Sequence, residues 1–106
     1  STESGSNTDI LQGTRLQTVP QGGYLTFELQ CSVNDTSNNY AVSVQMPNGD
    51  TPLNDVRVSA GVTNGALNNN DKMQIILPVA QGGHTVFSCT ETGVGLLAWR
   101  VTYTPA

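Results

Sequence analysis

Two cysteines, Cys31 and Cys89, are the residues most able to do covalent chemistry in this chain. Each falls on the apolar phase of an alternating segment, Cys31 with Leu29 and Val33 and Cys89 with Phe87. Two inward cysteines on separate strands, and no others in the chain, predict a single disulfide between two sheets, with buried free thiols as the alternative. They do not predict zinc, which needs four ligands where the chain adds only one histidine, His84. His84 and Ser88 are likewise a poor nucleophilic pair. Four residues apart on a strand, they stand about 13 Å apart, and no glycine elbow surrounds the serine.

The carboxylates Asp35, Asp50, Asp55 and Asp71 sit beside Asn or Thr in polar stretches, a composition that offers oxygen ligands for calcium. None has the spacing of a calcium-binding loop, and Asp and Asn are the standard turn formers, so turn chemistry is the expectation and no metal or cofactor is assigned. No pair of carboxylates is recognisable as an acid/base couple. Asn34-Asp35-Thr36 is a glycosylation sequon, meaningful only in a secreted eukaryotic product. These residues point away from an enzyme.

The elements that position them are strands. From Tyr24 to Val33 the chain alternates strictly: Leu25, Phe27, Leu29, Cys31 and Val33 take one face, Thr26, Glu28, Gln30 and Ser32 the other. Tyr40, Val42, Val44 and Met46 repeat the pattern up to the turn signal Pro47-Asn48-Gly49-Asp50, and Val56, Val58 and Ala60 resume it. Further inward rows are Met73, Ile75, Leu77 and Val79, then Leu97, Trp99, Val101 and Tyr103. No segment combines helical spacing with a cap. The expectation is an all-β, two-layer antiparallel β-sandwich of about seven to eight strands, Ig-like or jelly-roll-like with Greek-key connections and very little helix. The antibody signature itself is absent, because the only Trp, Trp99, follows the second Cys by ten residues.

At 106 residues the chain predicts one domain over 10–106, preceded by a flexible polar arm over 1–9, STESGSNTD. A faint repeat at an offset of sixty matches Val19-Pro20-Gln21-Gly22-Gly23-Tyr24 to Val79-Ala80-Gln81-Gly82-Gly83-His84, and both copies read as hairpin turns.

Four basic residues, Arg15, Arg57, Lys72 and Arg100, against a net charge of −4 cannot build the positive face that nucleic acid requires, and no apolar run is long enough for membrane insertion. Most aromatics fall on inward phases, leaving Tyr24 as the expected exposed one, too few for a flat sugar-stacking platform. The outward phases are instead partly apolar at Ile76, Leu96 and Ala98, which predicts a covered surface. The cover is either a subunit interface or a loop or the N-terminal arm of the same chain. The resulting expectation is a non-catalytic structural or self-assembling subunit of a virion, pilus or surface assembly, extracellular or virion-borne, forming a homo-oligomer or larger protein assembly. The alternative is an extracellular module that binds a carbohydrate or receptor.

Overall fold

The computed structural model describes residues 1–5, 10–32, 40–58, 60–62, 67, 72–82, 86–91 and 97–106, and for 31, 32, 40, 55, 60–62 and 86–91 it describes the backbone alone. Among the described residues eight strands run in chain order: β1 (Thr2–Gly5), β2 (Gly23–Ser32), β3 (Tyr40–Gln45), β4 (Leu53–Val58), β5 (Ala60–Val62), β6 (Met73–Val79), β7 (Val86–Glu91) and β8 (Leu97–Pro105). One sheet is ordered β1-β8-β2, with β6 and β5 sharing the far edge of β2, and the other is β4-β3-β7. All pairs are antiparallel except β2 with β5. The chain changes sheet between β2 and β3, β4 and β5, β6 and β7, and β7 and β8. The result is the expected all-β sandwich.

The alternating rows supply the core. Leu25, Phe27 and Leu29 of β2 meet Tyr103, Val101 and Trp99 of β8 in register, and all six are buried. Val42, Val44 and Val58 close the core from the second sheet. A β-bulge shifts the register between β3 and β4, so that Val42 faces Val56 while Val44 faces Leu53. The extra residue on β4 turns Leu53 onto the inner face, out of phase with Val56 and Val58.

Three expectations need correction. Residues 2–5 of the expected flexible arm form β1, an edge strand paired with β8 from Thr2↔Thr102 to Gly5↔Trp99. The sequence TESG has no apolar period to reveal it; its pairing is set by β8, and Gly5 leaves room for the Trp99 ring, which a Cβ there would approach to 2.7 Å. Second, the row Val56, Val58, Ala60 is broken: β4 and β5 lie in different sheets on either side of residue 59.

Third, the Gln-Gly-Gly repeats do not form hairpins. The first follows a single 3-10 turn, Arg15–Gln17, and leads into β2, whereas the second follows β6, whose successor β7 belongs to the other sheet. The two copies do meet in space, where the Gly82 amide donates to the Val19 carbonyl at 3.1 Å. Among the described glycines of the two copies, Gly82, at φ 68°, uses glycine's access to the left-handed region.

The segment between β1 and β2 also contributes to the core through Ile10, Leu11, Leu16 and Val19, all buried. Leu11 adopts φ 60°, which costs a non-glycine residue about 1 kcal/mol. Its carbonyl accepts from both the amide and the hydroxyl of Thr14, at 3.1 and 2.9 Å, and its side chain is fully enclosed.

Candidate interaction surface

The outer face of the five-stranded sheet, the side turned away from the core, collects the polar phases of β1, β8, β2 and β6 in ladder rows. One row runs Thr2, Thr102, Thr26, Ile76; the next towards the chain termini runs Thr104, Tyr24, Pro78; the next in the other direction runs Ser4, Arg100, Glu28, Gln74. Beyond the last, Gln30 faces Ala98.

This face is divided. At the end holding Tyr24 and Ile76 it is open, with Tyr24 46% and Ile76 63% exposed. Pro78 and Thr104 are exposed beside Tyr24, and Thr26 and Thr102 are half-buried. At the other end Gln30 and Ala98 are enclosed, 0% and 2% exposed.

Charge marks the boundary. Glu28, buried on this nominally polar face, accepts from Arg100 through two parallel bonds, Nε to Oε1 and a terminal guanidinium nitrogen to Oε2, each 2.7 Å. Lys72 donates to the same Oε2. The Arg100 hydrogen bonds are the main cause holding the Glu28 carboxyl at about 2 instead of the usual 4.5; burial opposes them, and Lys72 adds to them. The matched fork geometry makes this the strong form of an ion pair. The sequence placed Glu28 and Arg100 on outward phases but could not bring them together, because nothing in it said that β2 and β8 are neighbours.

The residues expected at an assembly surface separate here. Ile76 is exposed as expected, and so is Tyr24. Ala98 is not a surface residue: although it sits on the outward phase of β8, the chain's own residues cover it. It also lies at the Gln30 level, four residues along β2 from Thr26, the level of Ile76, or about 13 Å away. Leu96 lies outside the described residues, as do His84 and the sequon Asn34 to Thr36, and the side chains of Cys31, Cys89 and Ser88.

Asp50 works as turn chemistry. Its amide donates to Asn48 Oδ1 at 3.0 Å and its carboxylate accepts from Asn48 Nδ2 at 3.0 Å, in a turn where Gly49 takes φ 93°. Asp35, Asp71 and the Asp55 side chain lie outside the described residues. Among the described residues, no three carboxylate, thiol or imidazole groups converge as metal ligands, and no helix is long and apolar enough to cross a membrane.

Beside β6, towards the turn between β3 and β4 of the second sheet, two adjoining clefts share Met46 and Pro78. The larger, about 570 Å³, lies between Leu77 and Pro78 and the turn carrying Asp50, Thr51 and Pro52. The smaller, about 420 Å³, continues past Pro47 and Asn48 to Ala80, Gln81 and Gly82. The exposed outer residues and these clefts therefore flank one strand.

No protein-family model, curated protein or solved structure matches this chain.

Proposed function

We propose that this chain is a non-catalytic structural subunit that assembles with other protein chains in a virion, pilus or surface assembly outside the cell. The observation that carries the reading is the exposed pair Tyr24 and Ile76, joined by Pro78 on adjacent rows of a face whose other end is closed. Exposed apolar residues grouped on one side of a strand mark a surface that another molecule covers. The expected result is that light scattering on the native chain gives a mass above that of one copy and rising with concentration. A mass of one copy up to millimolar concentration overturns the proposal.

A second reading, binding of a carbohydrate or receptor, is favoured by one feature of the same face. The exposed Tyr24 ring is flanked across the ladder by Thr104 and along its own strand by Thr26, a stacking surface beside hydroxyls that can exchange hydrogen bonds with a sugar. Retention of the monomeric chain on a glycan array, lost in Tyr24→Ala, selects this reading.

An extracellular setting goes with a disulfide between Cys31 and Cys89, which we include in the proposal. In support, Cys31 is the register partner of Leu97 in one sheet and Cys89 that of Val42 in the other, both partners being buried. Antiparallel register partners share a face, so the two positions lie on facing sides of the sandwich. Non-reducing peptide mapping should yield one linked peptide joining residues 31 and 89, and recovery of two alkylated thiols would remove the disulfide from the proposal.

A further inference from the structure

We infer that β6 is the edge through which two copies of this chain pair, antiparallel and across a two-fold axis, so that the five-stranded sheet of one copy continues into that of the other. The inference rests on the assembly reading above and gives it a partner and a geometry.

Among the described residues β6 pairs with β2 alone, and its other side is an edge of the described sheet. Exposed edges ordinarily carry something that stops them pairing: brevity, a charge, a bulge or a proline. The other edges among the described strands show these features, β5 through its length of only three residues. β1 has four residues and carries Glu3, ion-paired to Arg15 at 3.2 Å. β4 carries Asp55 and Arg57 and the bulge opposite Val42 and Val44. β7 ends on Glu91. β6, Met73-Gln-Ile-Ile-Leu-Pro-Val79, has no charge over seven residues, and its one proline comes next to last.

The absence of charge also selects the occupant. A strand that meets its own copy antiparallel across a two-fold axis pairs each residue with the one equally far on the other side of the axis, so a charge near the axis would face a like charge. β6 is self-complementary in this sense, and a strand fitted to a charged partner would carry the opposing charge. Pro78 offers no N–H, which confines the new ladder to Met73–Leu77, centred on Ile75, so that the exposed Ile76 of each copy stands one residue from the axis on the same outer face. A strand pair alone falls short of the roughly 1,000 Å² that a stable interface clears. The flanks supply more: Tyr24 on the outer side, and towards the second sheet the cleft between Leu77 and Pro52.

The test is sedimentation of the full chain over a wide concentration range, with Ile76→Lys, Ile76→Glu and an equal mixture of the two. The wild type should form a dimer or an even-numbered assembly, with hydrogen exchange slowing at residues 74–77 on association. Each charged variant should weaken association at least tenfold while its thermal unfolding as a monomer stays unchanged, because Ile76 is on the surface. The mixture should recover most of the lost affinity, since unlike charges then meet across the axis. If the wild type assembles but the charged variants assemble equally well, or their mixture recovers nothing, the β6 geometry is overturned and the assembly reading stands on another surface. A wild type that stays monomeric overturns both.

Discussion

Trp99→Ala should lower the stability of this protein by about 3 to 5 kcal/mol, the largest effect expected of any single truncation in its core. Trp99 is 3% exposed, on a strand whose neighbours on the same face, Leu97 and Val101, are completely buried. Its ring lies over the backbone of Gly5, so removing it opens a cavity against β1, whose residues have little other apolar material to move in. For a chain of this size, such a loss lowers Tm by on the order of 15 to 25 °C. Thermal unfolding followed by circular dichroism measures it, and native tryptophan emission should be blue-shifted and resistant to aqueous quenchers. Red-shifted, readily quenched emission would show that Trp99 is on the other face. The reverse substitution of space, Gly5→Ala, should cost about 1 to 3 kcal/mol, because the added methyl enters the ring.

The contrast between Trp99 and Gly5 shows what was legible in the sequence. Trp99 sits in a row of large apolar residues at period two, a pattern that only a half-buried strand explains, and the same holds for β2, β3 and β6. β1 has no such row. It is a strand because β8 presents an edge and because glycine fits beneath an indole, and both facts belong to the partner, not to the segment. Ile10, Leu11, Leu16 and Val19 follow neither period, and they reach the core through a 3-10 turn and one left-handed leucine. The same limit explains the repeats. Gln-Gly-Gly reads as a turn in both places, but whether the chain then pairs with what preceded it or crosses to the other sheet is set by the packing of whole sheets.

The candidate surface was legible by phase and not by depth. Alternation placed Tyr24, Ile76 and Ala98 outward, and for Tyr24 and Ile76 outward also meant exposed. It did not for Ala98, because an outward phase says which side of the sheet a residue takes and nothing of what the rest of the chain lays over it. Glu28 misleads in the opposite sense. On sequence it is one more polar residue on a solvated face, but it is buried with Arg100 and Lys72 around it. Its only signal was a charge of opposite sign on the polar phase of another strand, and that becomes a pair only when the register Glu28↔Arg100 is known.

From that pair follows a pH dependence. The Glu28 carboxyl is held at about 2 in the folded chain against 4.5 without its partners, so folding favours its ionised form. The stabilisation is complete above about pH 4.5 and drains away as the pH falls towards 2, where the carboxyl protonates in the folded state too. The shift corresponds to on the order of 3 kcal/mol, less whatever solvent screens at the partly exposed Arg100. Glu28→Ala at neutral pH should therefore destabilise by about 3 kcal/mol, since it leaves Arg100 and Lys72 as two cations facing each other across a half-buried site with no anion between them. Urea titrations of wild type and variant from pH 2 to pH 7 separate the causes. The wild type should gain stability between pH 2 and pH 4.5 more steeply than Glu28→Ala, and the gap between them should narrow towards pH 2. A constant gap across that range would mean that Glu28 contributes by packing and not by charge. A second variant, Glu28→Gln, keeps the volume and part of the hydrogen bonding but not the charge, and it should show the same flattened pH response as Glu28→Ala with a smaller loss at neutral pH.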